Sequence, residues 1–267
     1  MYFHHYTIPI KGVEKKTIFH FSDSHLTGAD ALSTEEERAL AEKQSAAWLA
    51  VRHDFGRVYN ESCDDLDAFD QYMEMIREGN KYDAVVITGD TIDNVRGATL
   101  RMMEKGISQI KVPFAVVAGN HEPVSQLPDD LGLSVMKQPF YTVDLGDVVL
   151  AAFNDQERSI TKEQLDALKA LKSGGKPVIV VMHIPVMTDG NRELLMNAGV
   201  YFQLNYDGCP EENHEFIAEL TAQDSPVAAV FTGHLHFMCV SEIANGVMQY
   251  GCSQSIAGHC NVYTIGE

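Results

Sequence analysis

Short apolar runs alternate along the chain with stretches whose apolar residues recur every three or four positions. The runs predict strands at 17–22, 84–88, 114–118, 148–153, 178–182 and 227–232, with shorter ones at 238–243, 247–251 and 262–265. Strands interleaved with helical patterns indicate an α/β architecture. The stretch 28–81 reads as a helical insertion. Ser33 or Thr34 caps its first helix, with Glu36 or Glu37 completing a capping box. Leu40, Trp48, Val51 and Phe55 mark an apolar stripe on that helix, and Leu66, Phe69, Met73 and Ile76 mark one on a second. The pair is expected to pack on the domain, with a lid or dimer surface as the alternative. The acidic residues Glu61, Asp64, Asp65 and Asp67 between the stripes suit a solvated face. The stretch 186–213 is long for a connection. Its Tyr201, Phe202 and Tyr206 either pack as core or form a wall for a flat leaving group.

At 267 residues, with no repeat and no low-complexity linker, the chain is read as a single domain over 1–267. Lys and Arg total 20 against 38 Asp and Glu, a net charge of −18. That excess opposes nonspecific nucleic-acid binding and docking on an anionic membrane. A small phosphorylated substrate fits only where bound cations reverse the sign locally. No apolar stretch approaches the ~20 residues of a membrane span, and residues 1–10 lack the regions of a signal peptide. The cysteines number five and form no CxxC, which points to reduced thiols and a cytoplasmic location.

Five of the strand-like runs end directly in metal-ligand residue types. Run 17–22 ends in Asp23-Ser24-His25, run 84–88 in Gly89-Asp90-Thr91-Ile92-Asp93 and run 114–118 in Gly119-Asn120-His121-Glu122. Run 178–182 ends in His183-Ile184-Pro185 and run 227–232 in Gly233-His234-Leu235-His236. In α/β sheets, ligands bind beyond the carboxyl ends of strands, and a glycine there suits a sharp turn. Each fragment is common alone; the ordered set is not. His25, His183, His234 and His236, with Asp23, Asp90 and the amide of Asn120, make seven candidate ligands. Seven exceeds one tetrahedral zinc site and suits two ions sharing a carboxylate. Mixed nitrogen and oxygen donors without thiolate suit two divalent transition-metal ions such as Mn, Fe or Zn. Such a pair can clamp a phosphoryl group.

The order DxH, GDxxD, GNH, H, GHxH, running from Asp23 to His236, resembles the calcineurin-like metallophosphoesterase superfamily. The resemblance implies a four-layer αββα sandwich of two mixed sheets flanked by helices. It implies that Asp23, His25 and His236 bind one metal, that Asn120, His183 and His234 bind the other, and that Asp90 bridges them. It also implies that His121 lies near the scissile phosphate, oriented by Asp93, and that hydroxide held between the metals attacks a phosphomonoester or phosphodiester. Protein Ser/Thr phosphatases of the superfamily carry arginines where this chain has Asn94 and Ala118, which disfavours that branch. Small phosphodiesterases lack those arginines and are closer in length. The expectation is therefore a phosphodiesterase on a small nucleotide-like substrate. A phosphomonoesterase and a non-catalytic metal-binding scaffold are the alternatives. His4, His5, His20, His53, His214 and His259 are read as structural or exposed, with His259 the nearest to a functional loop.

Overall fold

The computed structural model describes residues 1–59, 67–197 and 203–267, without the side chains of 53–59 and 197. His53, Phe55, Glu61, Asp64, Asp65, Leu66, Tyr201 and Phe202 of the sequence argument lie outside those described side chains. The strands are β1 (Tyr2–Ile8), β2 (Lys16–Phe21), β3 (Ala84–Thr88), β4 (Phe114–Val117), β5 (Phe140–Asp144) and β6 (Val149–Phe153). They continue with β7 (Val178–Val181), β8 (Val227–Thr232), β9 (Cys239–Ala244), β10 (Val247–Gly251) and β11 (His259–Ile265). The helices are α1 (Glu35–Tyr59), α2 (Ala68–Gly79), α3 (Gly97–Ile107), α4 (Lys162–Leu171), α5 (Arg192–Asn197) and α6 (Glu211–Leu220).

One sheet has the order β1-β11-β2-β3-β4, the other β5-β6-β7-β8-β10-β9. Both are mixed. β11 runs parallel to β1 and antiparallel to β2, whereas β2, β3 and β4 are parallel. β6, β7, β8 and β10 are parallel, with β5 and β9 antiparallel at the edges. The inner faces meet in a buried layer that includes Ile18, Val86, Val117, Leu150, Ile179, Val181, Phe231 and Tyr263. Outside the first sheet, Tyr72, Met75 and Ile76 of α2 and Met103 and Ile107 of α3 pack on Phe19, Phe21, Val85, Ile87 and Val116. Outside the second, Leu165 and Leu168 of α4 and Phe216 and Leu220 of α6 pack on Phe153, Val178, Val180 and Val230. The result is the four-layer αββα sandwich. Burial on both faces explains why the central strands read as unbroken apolar runs.

β1 and β5 were not expected from the sequence. Each is an edge strand whose side chains alternate between exposed and half-buried, so neither forms an apolar run. The strand expected at 262–265 begins three residues earlier, at His259.

The two helices expected within 28–81 differ in how they are held. α2 is the crossover between parallel β2 and β3, and its inner face is core. Helix α1 starts on the capping box of Thr34 and Glu37 (Thr34 N–H to Glu37 Oε2, 2.7 Å; Glu37 N–H to Thr34 Oγ1, 3.2 Å). Among the described side chains of its expected apolar stripe, Trp48 turns toward the protein whereas Leu40 is 45 % exposed and Val51 40 %. The face turned to the protein carries Ala41, Gln44, Ser45, Trp48 and Arg52 instead. A fully buried Leu or Ile contributes about 1.5–3 kcal/mol, and α1 buries neither type among its described side chains. Polar contacts therefore fix its orientation.

In 186–213, the short helix α5 and the buried Leu204 give partial core packing, and Tyr206 is covered by the Arg158 guanidinium, 4.0 Å from its ring centre. Among the described residues no helix is long and apolar enough to cross a membrane.

Candidate metal centre

The five strand-end clusters follow β2, β3, β4, β7 and β8, which are parallel neighbours within each sheet. Their loops are tied together by backbone bonds. Asp23 N–H donates to Gly89 O (3.0 Å), His25 N–H to Asp90 O (2.9 Å) and Gly233 N–H to His183 O (3.1 Å). Asp23, His25, Asp90, His234 and His236 all lie at positive φ, between 41° and 70°. Non-glycine residues adopt that region rarely, at a cost of about 1–3 kcal/mol each. Of the three glycines expected to make turns, only Gly89 has positive φ (83°). Gly119 and Gly233 are needed for close approach: a Cβ on Gly119 would fall on the Asp90 carboxylate, and one on Gly233 on the Ser22 hydroxyl.

These loops bring together all seven candidate ligands. Asp23, His25, Asp90 and His236 form one group, and Asp90, His183 and His234 another, each with ligand atoms within 4.8 Å of one another. Asp90 belongs to both. His25 Nε2 and His236 Nε2 are 3.0 Å apart, and His183 Nε2 is 3.1 Å from Asn120 Oδ1. His236 Nε2 is 3.4 Å from Asp23 Oδ1, and His183 Nε2 3.4 Å from Asp90 Oδ2. The carboxylates are aimed by the backbone. Asp23 Oδ2 accepts His234 N–H (3.0 Å) and Asp90 Oδ1 accepts His121 N–H (2.9 Å), which turns Asp23 Oδ1 and Asp90 Oδ2 toward the imidazoles. Asp23 Oδ1 is buried without a hydrogen-bond partner. Burying such an oxygen is costly unless something binds it. Convergent lone pairs beside it form a donor set that fits divalent cations.

The charges agree. Burial works to raise the Asp90 carboxyl, yet the imidazoles of His183, His25 and His121 hold it well below the usual range. Burial pushes the His25 ring down to about 3, so its nitrogens are free of the extra proton that would block a metal. His121 lies at the rim, its side chain 35 % exposed, with Nδ1 donating to the Asp93 carbonyl at 2.7 Å. Burial opposes its protonation, but Asp93 and Asp90 prevail and raise it to about 9. His20 is bonded to Tyr263 Oη and Thr88 Oγ1 in the core, His259 is buried against His4 at 2.9 Å, and neither joins the cluster.

A family model described as calcineurin-like phosphoesterase matches residues 16–238, from the start of β2 past His236. The chain belongs to that family. As a calcineurin-like phosphoesterase it is a phosphoric ester hydrolase of a family typically dependent on paired metal ions. Among solved structures it is similar to a dimetal phosphatase from Danio rerio, at 12 % identity over 94 % of this chain and 93 % of that one, with a TM-score of 0.58. That is a likeness of fold. Weaker likenesses are to a 5'-nucleotidase from Candida albicans (13 % identity, 90 % of this chain, TM-score 0.41) and a hypothetical protein from Thermus thermophilus (14 % identity, 70 % of this chain and 73 % of that one, TM-score 0.35). The chain spans 45 % of the nucleotidase. No curated protein sequence matches it.

Around the ligand set, this phosphoesterase carries supports that the sequence did not single out. Asp155, fully buried after β6, accepts the N–H groups of His183 (2.8 Å) and Ile184 (2.9 Å), and burial pushes its carboxyl up to about 7. Glu122 accepts the N–H groups of Ile92 and Gly119, both at 2.8 Å, and so joins the β3 and β4 loops. Each follows a strand as the ligands do, and that position is the signal that could have found them. Trp48 and Gln44 arrive from α1 and carry no such signal.

Proposed function

We propose that this calcineurin-like phosphoesterase hydrolyses a phosphodiester of a small, nucleotide-like substrate, using two divalent ions for which Mn, Fe or Zn suit the donors. The observation that carries this is the convergence of seven donors into two adjoining groups that share Asp90. In this reading Asp23, His25 and His236 hold one ion, Asn120, His183 and His234 the other, and Asp90 bridges. Bound there, the ions supply charge to the phosphoryl oxygens and make water acidic enough to serve as nucleophile.

The chain's own groups do the rest. His183 Nδ1–H donates to Thr88 O at 2.5 Å, which leaves Nε2 as the ring's free lone pair. His121 spends Nδ1–H on the Asp93 carbonyl, which leaves Nε2–H to donate to the leaving oxygen. The diester preference rests on charge. Among the described residues, Asp23, Asp90 and Asp93 make ion pairs only with imidazoles. Arg96, the nearby cation in sequence, bonds Gln44 and Asn94 instead. A monoester dianion presents one more negative charge than a diester, and among the described residues no guanidinium or ammonium is paired with these carboxylates to offset it. A single-domain organisation over 1–267 with a helical insertion at about 28–81, and a cytoplasmic location, belong to the same reading. Cys209, Cys239, Cys252 and Cys260 are free thiols, which supports a reducing compartment.

The test is a panel of aryl and nucleotide mono- and diesters assayed with Mn, Fe and Zn in turn, with and without a strong chelator. Faster turnover of diesters, abolished by chelation, is the expected result. Preference for monoesters would move the assignment to a phosphomonoesterase. Bound metal without turnover of any ester would leave a scaffold, and full activity in chelator would remove the metals from the mechanism.

A further inference from the structure

Helix α1 reaches the metal-facing residues from outside the strand ends. Trp48 lays its indole over the His25 imidazole, 4.0 Å between ring centres and 19° from parallel. Its Nε1–H donates to Asp93 Oδ1 at 2.9 Å. One turn earlier, Gln44 Nε2–H donates to Asp93 Oδ2 at 2.8 Å, where Asn94 Nδ2–H adds a bond of 3.2 Å. The Arg96 guanidinium donates to Gln44 Oε1 and to Asn94 Oδ1. A cation on the amide oxygen fixes which way the Gln44 amide faces, so its N–H must point to the carboxylate. Residues four apart share a helix face, and this pair occupies the polar face that α1 turns inward in place of Leu40 and Val51.

Asp93 Oδ1, held by Trp48, lies 3.8 Å from His25 Nδ1 and 3.5 Å from His121 Nδ1. His25 Nδ1 is buried with no hydrogen-bond partner. At 3.8 Å Asp93 Oδ1 is beyond hydrogen-bond reach of that nitrogen, but its negative charge favours the tautomer with Nδ1–H, which leaves Nε2 free for a metal. One carboxylate thus faces two rings of the centre, and α1 supplies two of its three side-chain donors.

We propose that Gln44 and Trp48 are positioning residues of the metal centre, holding Asp93 where it orients His25 and His121, so that α1 is part of the reaction apparatus. This rests on the reading that His25 holds an ion and His121 acts on the phosphoryl group.

Trp48 is the only tryptophan in the chain, so the intrinsic emission reports on the ring stacked against His25. Mn2+ alone is titrated into the metal-free full chain, with bound Mn2+ counted by equilibrium dialysis in parallel. The emission is expected to fall in step with binding, because a paramagnetic ion on His25 quenches the adjoining indole. Bound Mn2+ with unchanged emission overturns the proposal and leaves the metal reading standing. No bound Mn2+ overturns both.

Two variants test the positioning. Trp48→Phe keeps a ring against His25 and removes the N–H, and Gln44→Met keeps the length and removes the amide. Each is expected to lower kcat on an alkyl-leaving diester by about 10–100-fold, with KM and bound Mn2+ changed by less than about twofold. In an Asp93→Asn background Gln44→Met should cost little more, since both changes act through one carboxylate. Undiminished kcat in both variants overturns the proposal, and so does a Gln44→Met loss that multiplies with that of Asp93→Asn.

Discussion

At positive φ, Asp23, His25, Asp90, His234 and His236 store backbone strain that the surrounding bonds maintain. The energy goes into direction: each side chain leaves its strand end toward a common point. His121 differs. Its backbone N–H serves Asp90, while its ring is turned to the rim. A proton donor matters most when the departing alkoxide is basic. His121→Ala is therefore expected to lower kcat by roughly 10²–10⁴ for an alkyl or ribose leaving group, with a much smaller loss for p-nitrophenolate and unchanged metal content. Equal losses with both leaving groups would leave His121 only a phosphate-positioning role. Loss of metal from the variant would make it a ligand.

Among the elements, α2 and α3 show packing overriding propensity. Gly106 sits in the last turn of α3, and a Cβ there would run into the Tyr72 ring of α2. Tyr72 is fully buried and its hydroxyl donates to Met103 O at 3.2 Å, so it has no open side to retreat to. Ala for Gly in a helix normally gains about 1 kcal/mol, whereas overpacking costs about 1–3 kcal/mol. Gly106→Ala is expected to lower the denaturation midpoint, and a raised midpoint would show that the ring yields. The same contrast explains what could be read from the sequence. β2, β3, β4, β7 and β8 are buried on both faces, so each stands out as an apolar run, and the candidate ligands stand out because they follow those runs directly. β1 and β5 were hidden because half of each edge strand meets solvent. The role of α1 was hidden for another reason. Helical periodicity sends Leu40 and Val51 inward, whereas the bonds of Gln44 and Trp48 to Asp93 and of Ser45 to Thr27, contacts between distant parts of the chain, turn the helix the other way.

For the whole molecule, a net charge of −18 must coexist with an anionic substrate. Two dications held there would add ~+4 at the centre, and charges beyond a Debye length of ~8 Å are largely screened. Inorganic phosphate is therefore expected to compete with substrate only in the metal-loaded protein. Calorimetry showing equal phosphate affinity with and without metal would contradict this. The topology also has a consequence in time. β1 has β11 as its sheet partner, and His4 and His259, bonded at 2.9 Å, are 255 residues apart. During synthesis at about 5–20 residues per second, the first strand waits roughly 10–50 s for the strand that joins it to the sheet. An apolar strand left open so long would invite pairing with other nascent chains. His4, His5 and the alternating exposure of β1 therefore suit a strand that must stay in water until β11 is made.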